Sequence, residues 1–243
     1  MLRRRLVELP EATLRYRNRT TCLGILVSSF TFMLATHSAR AGAPVSDPGA
    51  PMASSFPGPL WEVVTPNGGS ASVANAHLTL TVPGGSNHDA LLPTNQAVRV
   101  VQPIGNEDFD VSIKIDSPVV ATDANTSQGL MVLADDRDFL TFALVTDGTN
   151  ISLTAHKVSA GVAATVFNQA SFNEYRDPIC LRLSRMGSTY TAYYSVDGVV
   201  WVQATSFVDT RIPTSIGPFA GNYNSAPAKA VPVVMAINWF DVL

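Results

Sequence analysis

The feature that most constrains the fold is a succession of short alternating segments after residue 60. In residues 110–116 (DVSIKID), polar and apolar side chains alternate, which is the period-two pattern of a strand with one buried face. No window of about a dozen residues in this region keeps a helical apolar stripe. About a dozen such strands without intervening helices predict an all-β fold, a two-sheet antiparallel sandwich. The other strand-like runs are His77–Val82, Ala97–Gln102, Gly129–Ala134, Phe139–Thr146, Ile151–Lys157, Ile179–Arg185, Thr189–Ser195 and Val233–Phe240.

Turn residues stand between several of these runs. Asp147-Gly148, Met186-Gly187-Ser188 and Asp197-Gly198 each separate two strand-like segments. Glycine accepts the positive φ that tight hairpin turns demand. The spacing therefore predicts antiparallel hairpins at these three places.

The N-terminal segment has the pattern of an export signal. Residues 1–20 are rich in arginine, Cys22 to Ala35 form an apolar run, and Ala39-Arg40-Ala41 supplies a small-x-small cleavage motif. We therefore predict a signal peptide over residues 1–41, cleaved before Gly42, and a secreted protein, either extracellular or periplasmic. An uncleaved anchor is the alternative. Residues 42–59 are rich in proline, alanine and serine and predict a linker, and residues 60–243 form the predicted β-sandwich domain.

Charge limits the partners that the exported chain can bind. The whole sequence has 16 Lys+Arg and 19 Asp+Glu, and residues 1–41 hold seven of the basic and two of the acidic residues. The remaining 9 basic and 17 acidic residues give a formal net charge of −8. Nucleic acid and, after signal cleavage, a membrane surface are excluded as partners, because no basic stripe exists to neutralise phosphates.

Cysteine and histidine give little sign of catalysis or of a transition metal. Cleavage would remove Cys22 and leave Cys180, so we expect no internal disulfide and a buried, unreactive thiol. The histidines His77, His88 and His156 are widely spaced and form no known zinc motif.

A series of motifs along the chain resembles one known family. The series resembles the bacterial concanavalin A-like jelly-roll module of the DUF1349 and LamG-like type, related to the C-terminal domain of family 43 β-xylosidases. The resemblance implies two sheets of six to seven strands, one concave, with glycans bound at the concave face or at rim loops. The motifs are, in order, SNHD at 86–89, RVVQP at 99–103, DFDVSIKI at 108–115, QGLMV at 128–132, LRLSR at 181–185, YYSVDGVVW at 193–201 and GPFAGN at 217–222.

The sequence departs from this family pattern in two places. Relatives commonly have an aromatic residue soon after the His-Asp pair, where this chain continues Ala90-Leu91-Leu92-Pro93. The final strand in relatives often carries a calcium-binding Asp, and Asn238 stands at that position. The resemblance thus implies a structural calcium that Asn238 would hold weakly, because a neutral carbonyl oxygen supplies less charge.

We expect the ligand site to include six polar residues from the family motifs. A glycan site needs several convergent hydrogen-bonding groups beside an apolar surface. Gln128 and Arg99 share strand faces with apolar residues, so each is alternatively a buried polar residue, and a buried Arg would require a carboxylate partner. The predicted site residues are Asn87, His88, Asp89, Arg99, Gln128 and Asn222.

The residues favour a binder over an enzyme. Glycosidases place two carboxylates about 5–10 Å apart across the scissile bond. After residue 41 only Glu62, Glu107 and Glu174 are glutamates, in separate segments, and the cluster 107–110 (EDFD) breaks the hydrolase pattern with Phe109. The leading hypothesis is a non-catalytic polysaccharide-binding module.

Three other readings of these residues stay open. One is a glycoside hydrolase on the same jelly-roll fold. Another is a polysaccharide lyase that uses Arg99, Gln128, His88 and Tyr194. The third is a structural or adhesive surface module with a protein ligand.

Several other residues carry expectations that a structure can test. The acidic turn 135–138 is either a solvated hairpin loop or a calcium ligand set. Tyr193 and Tyr194 are consecutive on a strand and should face opposite sides. We expect Trp201 to pack in the core, and Trp61 and Trp239 to pack between the first and last strands.

Overall fold

A computed structural model of the protein describes residues 60–242. The predicted signal peptide and linker lie outside the described residues. The described part contains fourteen strands: β1 (Glu62–Val64), β2 (Ser70–Ala74), β3 (His77–Val82), β4 (Val98–Pro103), β5 (Phe109–Ile115), β6 (Thr126–Leu133), β7 (Phe139–Thr146), β8 (Ile151–Ser159), β9 (Val162–Gln169), β10 (Ile179–Met186), β11 (Thr189–Ser195), β12 (Val202–Val208), β13 (Ser215–Asn222) and β14 (Val233–Val242).

The strands form two antiparallel sheets of seven strands each. The first sheet has the order β1-β4-β13-β6-β7-β8-β9, and the second has the order β12-β11-β10-β5-β14-β3-β2. The predicted all-β, two-sheet antiparallel sandwich is confirmed. Within residues 60–242, no helix combines the length and the apolar character that crossing a bilayer requires.

The core lies between the two sheets and follows the alternation seen in the sequence. In β5, Val111, Ile113 and Ile115 are fully buried, whereas the residues between them are partly exposed. These side chains pack in one apolar cluster with side chains of the facing sheet, among them Leu130 and Phe142. Removing this apolar surface from water is the main term that holds the sheets together.

The sequence pattern did not predict five of the strands, and β13 shows why. The five are β1, β2, β9, β12 and β13. In β13, Pro218 and two glycines interrupt the pattern, which gives the GPFAGN motif the character of a loop. The motif instead belongs to a strand that is paired on both sides and ends at Asn222. The glycines are required by close approach. A Cβ at Gly217 would lie 2.0 Å from the carbonyl oxygen of Val100, and one at Gly221 would lie 2.5 Å from that of His88.

Candidate functional site

The connection between β3 and β4, residues 83–97, covers part of the outer face of the first sheet. We call it the cover loop. At its far point, Pro93 approaches the turn between β8 and β9, since a Cβ at Gly161 would lie 2.6 Å from the Pro93 carbonyl oxygen. Beneath the loop lies a second buried apolar cluster, separate from the core between the sheets: Ala90, Ala97, Val101, Met131, Leu133, Phe139, Ala143, Val158 and Phe219.

Asn222 anchors the start of the cover loop. Its Oδ1 accepts a hydrogen bond from the His88 backbone N–H at 2.9 Å. Its Nδ2 donates to the carbonyl oxygens of Pro83, at 3.0 Å, and Val231, at 2.6 Å. Asn222 is 1% exposed and His88 is fully buried. The oxygen and the nitrogen of the Asn222 side-chain amide therefore both hold the chain in place through hydrogen bonds.

Asn87 and His88 add further ties to the same anchor. Asn87 Nδ2 donates to the Asn224 carbonyl at 3.0 Å, and Asn87 Oδ1 accepts from the Asn224 N–H at 2.8 Å. The ring nitrogens of His88 lie 3.2 Å from the Ser86 carbonyl oxygen and 3.3 Å from that of Asn67. The SNHD motif thus fastens the cover loop to two other connections of the sandwich.

Asp89 is partly exposed, as Asn87 is, but among the described residues its side chain bonds only within the cover loop. Oδ1 accepts a hydrogen bond from the Leu91 N–H at 2.8 Å, the one side-chain bond that it makes within residues 60–242. Burial raises the pKa of the Asp89 carboxyl group, and the Leu91 bond lowers it by less. The carboxylate, which belongs to the cover loop, retains further acceptor capacity.

Arg99 and Gln128 do not share one cleft, because they lie on opposite faces of the first sheet. Arg99 lies on the outer face, is 4% exposed, and donates to Asp136 Oδ1 at 2.5 Å, so the buried Arg has the carboxylate partner that the sequence required. Gln128 lies on the inner face, where Ser117 Oγ donates to it at 3.3 Å. The structure therefore brings Asn87, His88 and Asn222 together, with Asp89 adjacent. Ligand binding by all six residues stays a prediction.

An exposed aromatic ring at this end of the first sheet was missed from the sequence. Tyr223 follows Asn222 and is 37% exposed. Its N–H donates to the Asn125 carbonyl at 2.9 Å, which continues the pairing of β13 with β6. Its side chain therefore follows the side of Gly221, the residue that the cover loop crosses, and Ser127 lies on the same side. Its position directly after Asn222, a predicted site residue, is the sequence feature that could have indicated Tyr223.

The residues around Asn238 do not fit a calcium site. Asn238 Nδ2 donates to Asp116 Oδ2 at 3.0 Å. The same carboxylate lies 2.8 Å from His77 Nε2 and 3.1 Å from Lys114 Nζ, so cationic and amide groups already surround it. No three metal-ligating His, Cys, Asp or Glu side chains come together in the described part of the chain. Calcium binding itself stays untested.

The acidic clusters have structural partners. Asp135 Oδ1 accepts the N–H groups of Arg137 and Asp138, which forms the hairpin between β6 and β7. Asp108 accepts the Gly187 N–H at 2.6 Å, and Asp110 pairs with Arg182. Carboxylates held in this way stabilise turns and strand ends.

The expectations for the tryptophan and tyrosine side chains are only partly confirmed. Tyr194 belongs to the core, and Tyr193 faces outward opposite Arg182, as predicted. Trp61 packs edge-on against Phe240 of the last strand, with ring centroids 5.3 Å apart. The expectation for Trp201 is wrong: it lies partly exposed over the Arg182 guanidinium. Trp239 is also partly exposed, on the face of β14 opposite the buried Phe240, so it does not pack with Trp61 as expected.

A buried cluster of ion pairs forms around Asp209, and no pattern in the sequence predicted it. The Asp209 side chain is 2% exposed and lies 2.5 Å from Arg211 Nη2 and 3.2 Å from Lys157 Nζ. Despite its burial, these contacts lower the pKa of Asp209 to about 2. A cavity of about 10 Å³, room for about one water molecule, lies beside Asp209, Arg211 and Tyr190.

This protein is similar to known proteins in its structure and not in its sequence. No family model matches the chain, and no curated protein matches it. The family 43 glycoside hydrolase (GH43) protein BlXynB from Bacillus licheniformis aligns with a TM-score of 0.60 at 19% identity, over 76% of this chain and 36% of that one. Xylan β-1,4-xylosidase from Bacillus halodurans aligns with a TM-score of 0.55 at 14% identity, over 71% of this chain and 34% of that one. The likeness shows the fold.

The lengths of the matching chains differ widely. The chain spans about a third of the length of the GH43 structures. A functionally unknown protein from Saccharomyces cerevisiae aligns with a TM-score of 0.60 at 14% identity, over 75% of this chain and 94% of that one. The same sandwich therefore occurs both within much longer glycoside hydrolase chains and as nearly a whole chain.

Proposed function

We propose that this protein is a secreted, non-catalytic carbohydrate-binding module of the DUF1349 and LamG-like type. The observation that carries the proposal is Asp89, a partly exposed residue of the cover loop whose carboxylate accepts a hydrogen bond from the Leu91 N–H and keeps further acceptor capacity. Sugars bind where a few convergent polar groups stand beside an apolar or aromatic surface. Asp89 offers free acceptor oxygens, while Leu91 and the Tyr223 ring offer exposed apolar surface at the same end of the sheet.

The fold and the named neighbours support a carbohydrate ligand. Two of the matching structures are a GH43 protein and a xylan β-1,4-xylosidase, so xylan is the first polysaccharide to test. The cover loop buries part of the outer face of the first sheet under an apolar cluster. A glycan would therefore bind at the rim beside the cover loop, where Asp89 and Ser127 are partly exposed.

The test compares binding of soluble xylan and other plant and algal polysaccharides by isothermal titration calorimetry. Asp89→Ala should weaken binding more than tenfold, about 1.4 kcal/mol, without changing the unfolding transition. Glu62→Ala, which removes an exposed carboxylate from the edge strand β1, is the matched control and should bind normally. Equal binding by Asp89→Ala and wild type would remove Asp89 from the site.

Two other activities are distinguished in the same experiment. Release of reducing sugars by the wild-type protein would favour a glycoside hydrolase, and release of unsaturated products would favour a lyase. Failure to bind any polysaccharide would favour a structural or adhesive surface module. The close carboxylate pairs of the sequence are committed to turns and ion pairs, which supports the binding role.

Export is part of the proposal and rests on the N-terminal sequence. The arginine-rich start, the apolar run and Ala39-Arg40-Ala41 are typical of a cleaved signal peptide. N-terminal sequencing of the secreted protein should begin at Gly42 or within a few residues of it. Recovery of Met1 from the extracellular fraction would contradict cleavage.

A further inference from the structure

The outer face of the second sheet carries an aromatic cluster that differs from its surroundings. Here the Arg182 guanidinium carbon lies 5.4 Å from the centroid of the Tyr193 ring and 5.6 Å from that of the Trp201 ring. All three side chains are partly exposed. Aromatic rings and arginine on a solvent-facing surface are the residue types that dominate binding sites. The rest of the face is mostly short and polar, as at Thr79, Thr81, Ser112, Ser184 and Thr191.

Arg182 is fixed in place before any ligand arrives. Its Nε donates to Asp110 Oδ1 at 2.7 Å, and its Nη2 donates to the second Asp110 oxygen. The bond to Asp110 is the main reason that the pKa of Arg182 is raised. The two side chains are 33% and 25% exposed, so both reach the surface. A preorganised group loses little entropy when a ligand binds.

The loop between β11 and β12 fixes Trp201 in a similar way. Asp197 Oδ1 accepts the N–H groups of Val199 and Val200, each at 2.8 Å. Asp197 Oδ1 also accepts a hydrogen bond from the Ser195 hydroxyl at 2.9 Å. The capped loop holds Trp201 over the sheet and leaves Val199 79% exposed beside it.

A second indole lies across the same face. Trp239 of β14 pairs in register with Lys114 of β5 and is partly exposed. Trp201 directly precedes β12, and four strand spacings of about 4.8 Å separate β12 from β14, about 19 Å in all. We define the aromatic strip as Trp201, Tyr193, Arg182, Lys114 and Trp239.

The aromatic strip is close to neutral. Arg182 is paired with Asp110, and Lys114 Nζ lies 3.1 Å from Asp116 Oδ1. Residues 42–243 as a whole carry a formal charge of −8, which disfavours an anionic ligand. Neutral sugars present apolar C–H faces that stack on rings and hydroxyl groups that bond to charged and amide groups.

We propose that the aromatic strip is a second carbohydrate-contact surface, which binds a neutral, extended polysaccharide chain. The proposal rests on the proposed carbohydrate-binding function, but it uses the sheet opposite the one that carries Asp89. Two contact surfaces on one module would let it engage two chains, or two segments of one chain, and raise its apparent affinity for insoluble polysaccharide.

The test measures depletion of the protein from solution by insoluble xylan and by cellulose. Tyr193→Ser and Trp201→Phe should each lower affinity at least fivefold, and combining Tyr193→Ser with Asp89→Ala should multiply the two losses. Thr191→Ala, a short side chain on the same face, is the matched control and should bind normally. Because Tyr193 lies outside the core, Tyr193→Ser should fold like wild type in circular dichroism and thermal unfolding.

A second readout does not depend on the affinity. Xylan should change the tryptophan emission of wild type and of Asp89→Ala, and this change should shrink in Trp201→Phe. Normal binding and emission changes in both strip variants, with loss in Asp89→Ala, would overturn the second surface and leave the proposed function standing. Loss in the strip variants alone would support the strip and remove Asp89 from the site. No binding by wild type to any polysaccharide would overturn both.

Discussion

Asn222 illustrates how a buried polar side chain can serve the fold. It is buried, and its amide makes three hydrogen bonds that join the cover loop, β13 and the segment before β14. Buried polar atoms that lose their partners cost about 1–3 kcal/mol each. Asn222 therefore has a structural role in connecting these three parts of the chain.

Asn222→Ala should destabilise the protein by about 3 kcal/mol. The variant leaves the Pro83 and Val231 carbonyls without their side-chain donor. It also removes one of the two acceptors of the His88 N–H, which keeps its bond to the Asn222 backbone carbonyl. Urea unfolding, followed by tryptophan fluorescence, measures the free energy. Asn173→Ala, at an exposed position, is the control and should change it by less than about 0.5 kcal/mol. Equal stability of the two variants would contradict the anchoring role.

Asp209 makes stability depend on pH in the acidic range. Its pKa is about 2 in the folded protein and near 3.8 otherwise. A lowered carboxyl pKa stabilises the folded state above the unfolded pKa, and this contribution disappears as pH falls through the folded pKa. The shift corresponds to about 2 kcal/mol, present at neutral pH and lost between about pH 4 and pH 2.

Urea unfolding of wild type and Asp209→Asn at several pH values tests this dependence. The variant should be less stable at pH 7, and the difference between the two proteins should shrink toward pH 2. Ile113→Val, which shortens a core side chain with no titrating group, should show a constant deficit over the same range. A pH-independent deficit for Asp209→Asn would show that the ion pair is not its source.

The cover loop is the element that most changes the surface of this sandwich. It fits only because Gly221 and Gly161 have no Cβ where the loop passes over the first sheet. The loop buries Met131, Phe139 and Phe219, which would otherwise be exposed on the outer face. Hydrogen bonds to Asn222 and Asn224 hold the start of this loop, and apolar burial of Ala90 and Ala97 holds its second half.

Gly221→Ala should displace the cover loop, because the new Cβ would lie 2.5 Å from the His88 carbonyl oxygen. We expect a loss of about 2 kcal/mol together with faster amide hydrogen exchange in residues 83–97. Gly85→Ala on the same loop meets no atom within 4 Å and has a φ of +82°, so it should cost about 1 kcal/mol from backbone strain alone. Its exchange pattern should match wild type. Equal exchange in both variants would contradict the close approach.

The edge strands β9 and β12 show a different property of elements. Neither contains a charged residue, which leaves edges of this kind open to pairing with other chains. Each strand carries a register shift, opposite Ala155/His156 in β8 and opposite Ala192/Tyr193 in β11. Bulges twist an edge and disrupt its ladder, so they protect these edges where charge does not.

At the scale of the whole molecule, stability comes from one large core without a disulfide among the described residues. Cys180 is buried and free, and burial raises the pKa of its thiol to about 11, so it stays protonated and unreactive. Two seven-stranded sheets supply enough apolar surface for a domain of this size to fold without disulfide bonds.

Chelation should therefore change the melting temperature only slightly. A weak site occupied near its Kd stabilises by about 0.4 kcal/mol, and the carboxylate near Asn238 is already engaged by His77 and Lys114. Differential scanning fluorimetry with and without chelator measures the shift. A decrease of ten degrees or more would show a tight metal site and contradict the weak site inferred at Asn238.

The sequence by itself determined the strands that bury one face, and the turns between them. β3 and β11 begin and end where the alternation predicted, because period-two burial and glycine turns are local properties. β7 also has its predicted bounds, although it is buried on both faces. It also determined that Tyr193 and Tyr194 face opposite sides and that a buried Arg99 needs a carboxylate. The edge strands β9 and β12 left no such pattern, since their exposed faces impose no alternation.

Only the tertiary structure decided which distant groups meet. Asp136 pairs with Arg99, Asn222 holds His88, and Trp201 stacks on Arg182 across the second sheet. These contacts join residues from separate strands and loops, and their geometry depends on strand order, sheet register and the path of the cover loop. Strand order, register and the path of the loop cannot be predicted from a local sequence pattern, because they result from packing the whole chain around its core.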